Sequence, residues 1–198
     1  MYAAININLD SLGEAYGFPK DYRDPTFGPI MERFLKVSDK RGFKYTIFVI
    51  GKDLEIEANR RAVAAWSAMG HEIGNHSWSH HLNLGALEKG PLMEEIRKSH
   101  DIIATTTGKE PRGFIAPAWS TSQTVRDVLM DLGYEYDTST WPSLLMYPAL
   151  LKLCFNHMGD HRLSRILHRH DLHYPWFAPR QAAVFHRGRR ASRCPLHR

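Results

Sequence analysis

The stretch "FKYTIFVIGKDLEIEANRRAVAAWSAMGHEIGNHS", residues 43–77, contains a strand pattern, a helix pattern and a second strand pattern in that order. Its first part, "FKYTIFVIG", is rich in β-branched and aromatic residues, as buried strands are. Residues 54–70 are largely helical in pattern and end at Gly70, after which "HEIGNHS" begins as a short strand. Because the connections are short, the stretch predicts a βαβ unit with two parallel strands.

The same alternation continues on both sides of this stretch. Residues 3–9 predict a first strand, and "GFIAPA" and the start of "YEYDTST" predict two more short strands. Helices are predicted over "PIMERFLKVSDKRG", "PLMEEIRKSHDIIATTTG" and "TSQTVRDVLMDLG", the last with Thr121 or Ser122 as its cap. This order indicates an α/β fold with a mainly parallel sheet, either doubly wound or a barrel. After Trp141 no strand pattern is clear, and about five strands are few for a closed barrel of ~8 strands.

The basic charge of the chain is confined to its end. The net charge is +5, and residues 181–198 contain five arginines and no acid, so the other 180 residues balance at 21 basic and 21 acidic side chains. The sequence therefore predicts one domain over residues 1–180 and a disordered basic tail over residues 181–198. A domain without net charge gives no support for a nucleic-acid partner.

Composition and end patterns narrow the class of protein further. Hydrophobic residues make up 43% and charged residues 24% of the 198 residues, as in soluble globular domains. No apolar run is long enough to span a membrane, and the N-terminal sequence lacks the pattern of a secretory signal, so we expect a cytoplasmic protein. Two cysteines, Cys154 and Cys194, form neither a disulfide framework nor a CxxC site.

Polar side chains follow the predicted strands at their carboxyl ends, where α/β folds place their ligand sites. Asp10 follows the first strand, and His76 and His80 follow the third. Pro117 and Trp119 follow the fourth strand, and residues 137–139 follow the fifth. The carboxyl ends of parallel strands meet at one edge of a sheet, so these residues are expected on one rim.

The histidines of "GNHSWSHH", residues 74–81, are spaced for metal binding. His76 and His80 are four residues apart, and on one helical turn both imidazoles would reach the same ion. Asp10 would complete a set of two histidines and one carboxylate, for which a divalent cation, first of all Zn²⁺, is expected. The opposing interpretation is a histidine-rich loop that binds nothing. His71 and His81 are expected either to support the ligands without contacting the ion or to lie in solvent.

Several segments resemble, in order and spacing, the polysaccharide deacetylase superfamily (NodB-homology, carbohydrate esterase family 4). "GHEIGNHSWSHH" resembles the second motif, whose histidines bind a divalent metal, and "ININLDS" and "GFIAPAWS" resemble the first and third motifs. "FKYTIFVIGKD" and "LGYEYDTS" resemble two further segments common in the family. The likeness runs from about Ile5 to Pro179 and is strongest from Phe43 to Ser139.

The resemblance implies a distorted (β/α) barrel of the NodB-homology type, which is either complete or incomplete at its C-terminus. It implies a metal-dependent hydrolase that removes an acetyl or related acyl group from an N-acetylated sugar or another non-peptide amide. In such enzymes water attacks the acyl carbonyl, with an aspartate as base and a late histidine as acid. By this resemblance Pro117 and Trp119 line the substrate groove. Trp119 either stacks on a sugar or packs in the core, and Trp78 either shields the metal or packs.

The first motif departs from the family pattern, because it normally carries two carboxylates. In the D-x-D register, which we prefer, Asp10 is the metal ligand and Asn8 stands in the place of the base. In the D-D register Asp10 is the base and Ser11 stands in the place of the ligand. An amide cannot accept a proton as a carboxylate does, so proton transfer is weakened in the preferred register.

Two further departures concern the later motifs. Ile115 stands where the third motif normally has an arginine, and no histidine of the last motif is identified, although "ILHRHDLH" contains three. The composition after Gln181 suggests a chain that lost its reading frame or was truncated. A catalytically impaired or truncated relative that acts as a metal- or carbohydrate-binding module is therefore the alternative. A third interpretation is an α/β protein whose histidines bind nothing.

Overall fold

The computed structural model describes residues 4–11, 18–19, 22, 24–139 and 183–184. The chain divides into two compact units, the first made of residues 1–80 and 95–113, and the second of residues 81–94 and 114–198. The boundary predicted at residue 180, most of the predicted tail and the three late histidines lie outside the described residues. So does the segment on which the frame-loss hypothesis rests, apart from residues 183–184.

The first unit is built on three parallel strands in the order β1, β2, β3. They are β1 (Asn6–Leu9), β2 (Thr46–Val49) and β3 (Glu72–Asn75). Leu9 lies opposite Val49, and Val49 lies opposite Asn75, so the three strands end level with one another. Residues that follow Leu9, Val49 and Asn75 therefore emerge at one edge of this sheet, as the sequence predicted for Asp10 and His76.

Two helices and part of a third complete the first unit. They are α1 (Met31–Arg41), α2 (Glu57–Ala68) and α3 (Lys89–Thr107), whose residues from 95 onward belong to this unit. The helix α1 ends at Gly42, whose φ of 68° is left-handed and suits glycine. The core contains side chains from each of these elements, including Leu9, Leu35, Ile47, Val63, Trp66, Ile73 and Ile103.

The second unit contains the shorter strands. These are β4 (Gly113–Phe114), which lies at the boundary of the units, β5 (Tyr136–Asp137) and β6 (Ala183–Val184). The backbone N–H of Thr138 donates to the carbonyl of Phe114 at 3.0 Å, and β6 pairs antiparallel with β5. The sequence did not predict β6.

The helix α4 (Gln123–Asp131) completes the described part of the second unit, and its cap is now defined. The hydroxyl of Ser122 accepts a hydrogen bond from the backbone N–H of Val125 at 3.3 Å, so Ser122 rather than Thr121 is the N-cap. Each strand and helix predicted between residues 3 and 139 is present, although the strands are shorter than their patterns. Within the described ranges, no helix is both long and apolar enough to cross a membrane.

Candidate metal centre

Three side chains of the first unit converge at the carboxyl edge of its sheet. Nε2 of His76 lies 3.5 Å from Oδ1 of Asp10, and Nε2 of His80 lies 3.7 Å from Oδ2 of the same carboxylate. The two imidazole rings meet edge to face with their centroids 5.1 Å apart. One ligand atom from each residue lies within 4.8 Å of the others. The structure thus brings together the three residues that the sequence singled out for metal binding.

The spacing of these atoms fits a divalent cation. Zn²⁺ binds imidazole nitrogen and carboxylate oxygen at about 2.0–2.2 Å, so two ligands of a tetrahedral site lie about 3.4 Å apart. The two measured separations are near this value and exceed the ~2.7–2.9 Å of a charge-assisted hydrogen bond. Two nitrogens and one carboxylate oxygen are also donors that zinc accepts. The set therefore fits a cation better than it fits direct hydrogen bonding.

The burial of both histidines and the lowered pKa of His80 suit a metal site. The side chain of His76 is 2% exposed, that of His80 is 20% exposed and that of Asp10 is 34% exposed, so solvent reaches the centre from the side of Asp10 and His80. Burial lowers the pKa of His80; the Asp10 carboxylate opposes this shift, and the His76 ring adds to it. The imidazole of His80 is therefore neutral at pH 7, and its ring nitrogen has a lone pair for a cation.

The histidines do not lie on a helical turn, and that part of the sequence prediction is wrong. β3 ends at Asn75, and the segment from His76 to His80 is an irregular loop. Ser77 and His80 have φ values of 64° and 57°, in the left-handed region that costs a non-glycine residue roughly 1–2 kcal/mol. One of these strained residues lies between the two histidines and the other is itself a candidate ligand.

Hydrogen bonds from four places hold this loop in its strained form. The N–H of His76 donates to the carbonyl of Val49 at 2.9 Å, and the N–H of Ser77 donates to the side chain of Asn75 at 2.8 Å. The hydroxyl of Ser79 donates to Glu95 on α3 at 2.8 Å. The remaining contacts come from a 3-10 turn, Gly51–Glu55, which directly follows β2.

That 3-10 turn also carries a residue that the sequence analysis missed. The hydroxyl of Ser11, next to Asp10, donates to Oδ1 of Asp53 at 2.8 Å. Burial raises the pKa of Asp53 to about 6, and the nearby carboxylates of Asp24 and Asp10 add to the increase, against the hydrogen bond from Ser11. A partial signal was available, because Asp53 lies in the segment that follows the second strand, four residues after Val49, on the edge where Asp10 follows the first strand.

Asn8 and Ile115 are the residues that, in the preferred register, stand where the resembled motifs have a carboxylate and an arginine. Asn8 lies on β1, two residues before Asp10, and is exposed, whereas its neighbour Leu9 is buried. Ile115 follows β4 and is 4% exposed. Neither side chain ionises, so neither can accept a proton as a carboxylate does or supply a charge as an arginine does.

The residues predicted to line a substrate groove belong to the second unit. Pro117 is buried, and Trp119 is 40% exposed, so Trp119 is not a core residue. Both lie in the 3-10 turn Pro117–Trp119, in which Ala118 and Trp119 have positive φ values of 50° and 53°. Two consecutive left-handed residues are strained, and such strain is common at binding sites.

Two other aromatic side chains of the first unit have structural contacts. The ammonium group of Lys98 lies over the ring of Trp78, 3.7 Å from its centroid, so Trp78 packs against α3. His71 is buried before β3, where its Nδ1 accepts a hydrogen bond from the N–H of Tyr45 at 3.1 Å. It lies at the opposite end of β3 from His76, so the expectation that His71 supports the ligands is wrong.

Comparisons with known proteins bear on the family and the fold of the chain. The family model described as "Polysaccharide deacetylase" matches residues 24–136. A peptidoglycan deacetylase of Helicobacter pylori is 32% identical over 107 residues, which are 54% of this chain and 36% of that protein. The chain thus spans little more than a third of the length of this relative.

Solved structures of the carbohydrate esterase 4 (CE4) family are similar in fold. A pseudoenzyme from Bacillus anthracis superposes with a TM-score of 0.53 at 23% identity, over 66% of this chain and 40% of that one. A family 4 carbohydrate esterase from Streptomyces lividans, in complex with acetate, gives 0.54 at 21% identity, over 69% and 60% of the two chains. These likenesses confirm the α/β fold class of the NodB-homology type.

Proposed function

This chain belongs to the polysaccharide deacetylase family, and we propose that it is a metal-dependent hydrolase acting on a carbon–nitrogen bond other than a peptide bond. The observation that carries the proposal is the convergence of Asp10, His76 and His80 on one point. The relative from Helicobacter pylori is a peptidoglycan deacetylase. On that likeness we propose an N-acetylated sugar as substrate, with an acetyl or related acyl group as the group removed.

Asp10, His76 and His80 would hold the cation, and Zn²⁺ is the cation we propose, since the donor set is two imidazoles and one carboxylate. When bound, the cation supplies Lewis-acid polarisation of the acyl oxygen and lowers the pKa of water. Hydrolysis forms a bond between water oxygen and the acyl carbon and breaks the carbon–nitrogen bond, and the nitrogen leaves as an amine after taking a proton. Both oxygens of Asp10 face the histidines, which supports the D-x-D register.

The same register gives the second candidate function. Asn8 then stands where a carboxylate would accept the proton of the attacking water, and an amide has no such capacity. Ile115 adds no charge that could compensate. These two residues therefore favour a catalytically impaired relative that keeps a metal- or carbohydrate-binding centre. The same fold occurs in an esterase and in a pseudoenzyme, so the fold is compatible with either function.

Trp119 is the side chain that we propose to contact the sugar. Its ring is exposed and is held on a short strained turn, and exposed aromatic rings stack on the apolar faces of sugars. Pro117 is buried at the start of the same turn and would shape it. Replacing Trp119 with alanine should therefore weaken sugar binding and leave zinc binding unchanged.

Metal content tests the centre itself. After dialysis against buffer with trace Zn²⁺, the wild type should retain about one zinc per chain by elemental analysis, and His76→Ala should retain none. His81→Ala is the matched control, because His81 is an exposed histidine that directly follows His80 in the sequence, and the change should leave the zinc content unchanged. Equal zinc content in the wild type and in His76→Ala would refute the proposal.

Acetate release from N-acetylglucosamine oligomers separates the active enzyme from the impaired relative. A positioned general base contributes about 10²–10⁴-fold to the rate of hydrolysis. If the chain is the impaired relative, Asn8→Asp should therefore release acetate faster than the wild type by a factor in that range. Asn6→Asp makes the same chemical change on an exposed residue of the same strand and should have no effect. If the wild type already releases acetate as fast as Asn8→Asp, the hypothesis of a catalytically impaired relative is excluded.

A further inference from the structure

The 3-10 turn Gly51–Glu55 contacts the histidine loop through its backbone. The N–H of Gly51 donates to the carbonyl of Ser77 at 2.9 Å, and the N–H of Lys52 donates to the carbonyl of Trp78 at 3.0 Å. Ser77 and Trp78 lie between the two histidines. The turn therefore fixes the position of the segment from which both imidazoles project.

The same turn contacts the aspartate side of the centre through one side chain. The register of β1 against β2 ends at Leu9 and Val49, so Asp10 and Ser11 extend beyond the paired strands. The hydroxyl of Ser11 donates to Asp53 at 2.8 Å across 42 positions of sequence. This bond ties the chain just after Asp10 to the turn that follows β2.

Asp53 is itself held firmly enough to act as an anchor. Its backbone N–H donates to the carbonyl of Ile50 at 3.1 Å, and its backbone carbonyl accepts from the side chain of Asn59 on α2 at 3.0 Å. Its Oδ2 is buried and accepts no hydrogen bond from the described residues. A buried carboxylate oxygen without a hydrogen bond is costly, and a role at the adjacent centre gives a reason for its presence.

We infer that Asp53 is a positioning residue of the proposed metal centre, which acts through Ser11 to hold Asp10 opposite His76 and His80. The inference rests on the proposed function, since it requires a cation at these three side chains. One turn then controls both sources of ligands, the loop of the histidines by its backbone and the end of β1 by the side chain of Asp53. Groups that orient metal ligands typically change metal affinity 10- to 100-fold when removed.

Zinc affinity of the full chain, measured by competition with a chromophoric chelator, tests the inference. Ser11→Ala and Asp53→Ala should each raise the dissociation constant about 10- to 100-fold. The double variant should be no weaker than the weaker single variant, because both changes remove the same hydrogen bond. Ser11→Thr keeps the hydroxyl and should restore affinity to near the wild-type value. Glu55→Gln is the matched control, because Glu55 is an exposed carboxylate on the same turn.

The absorption spectrum of bound Co²⁺ separates positioning from a general loss of stability. Ser11→Ala should alter the visible bands of Co²⁺, which report ligand geometry, at a temperature where the variant is fully folded, whereas Ser11→Thr should keep the wild-type spectrum. Unchanged affinity and an unchanged spectrum in Ser11→Ala and Asp53→Ala would overturn the inference and leave the proposed function intact. A wild type that binds no zinc would overturn the proposed function and this inference with it.

Discussion

Asp137 is the most deeply buried carboxyl group among the described residues of the second unit. It lies at the end of β5 with no exposed surface and accepts hydrogen bonds from the backbone N–H and the hydroxyl of Ser139. The hydroxyl of Ser139 in turn accepts from the N–H of Ala116 at 2.7 Å. Burial raises the pKa of Asp137, and the bonds from Ser139 and the charge of Arg126 oppose this increase.

A raised pKa in the folded state makes stability fall with pH. The folded chain keeps the proton of Asp137 at pH values where the unfolded chain has released it, so the free energy of unfolding decreases as pH rises from about 4 through the folded pKa. Asp137→Asn retains an acceptor for Ser139 but cannot ionise. Urea unfolding at pH 4, 5.5 and 7 should show this variant gaining stability relative to the wild type as pH rises.

The control for this titration is Asp101→Asn, an exposed carboxylate on α3, which should follow the wild-type pH dependence. If Asp137→Asn also runs parallel to the wild type between pH 4 and pH 7, Asp137 is ionised in the folded state without cost. This result would contradict the conclusion that burial raises the pKa of Asp137 in the folded chain.

At the scale of elements, the approach of β3 to β2 depends on one glycine. Gly74 lies opposite Phe48 in the parallel register, and Phe48 is completely buried. A Cβ at position 74 would lie 2.4 Å from the ring of Phe48 and 3.2 Å from the carbonyl oxygen of Gly113. The ring cannot move away without disturbing the core, so the absence of a side chain here lets β3 lie where it presents His76.

Gly74→Ala should therefore destabilise the chain by about 1–3 kcal/mol, the usual cost of overpacking a core. It should also weaken zinc binding, because the strand that precedes His76 must shift. Denaturant unfolding and zinc competition measure the two effects. Gly90→Ala on α3, where a Cβ meets nothing within 4 Å, should change stability by less than about 0.5 kcal/mol. Equal stabilities for both variants would contradict the packing argument.

At the scale of the whole molecule, the proposed cation would link ligand binding to folding. Asp10 and Asp53 are acidic groups on neighbouring strand ends, and Asp10 contributes to the raised pKa of Asp53. A cation held by Asp10, His76 and His80 would offset this repulsion and would favour the folded chain, since Asp10 is far from the two histidines in sequence. Such binding adds about 2.7 kcal/mol at a free concentration 100 times the dissociation constant.

For a chain of this size that gain corresponds to a rise of roughly 5–10 °C in melting temperature. Differential scanning calorimetry with zinc and with excess EDTA should show the rise and its loss. The variant His80→Ala should melt at the same temperature in both buffers. A zinc-dependent rise in His80→Ala equal to that of the wild type would mean that the cation binds elsewhere.

The local sequence pattern was sufficient to predict the helices α1–α4 and the strands β1–β5, and to single out three side chains of the proposed centre. Strand and helix periods, and the stops at Gly42, Gly70 and Gly108, depend on neighbours within a few residues, so they are legible without the fold. Asp10, His76 and His80 were predictable because carboxyl ends of parallel strands share an edge. Their convergence at that edge follows from topology alone, even though the helical turn expected between the histidines is absent.

What only the tertiary structure decided depends on contacts between distant parts of the chain. The left-handed residues Ser77 and His80 are stable because the 3-10 turn, Asn75 and α3 hold the loop, and no local preference favours them. The bond from Ser11 to Asp53 spans 42 positions and has no local signature. The sequence by itself therefore determined which side chains could bind a cation, whereas the packed fold decided how they are held, because long-range hydrogen bonds and close packing exist only after the chain has folded.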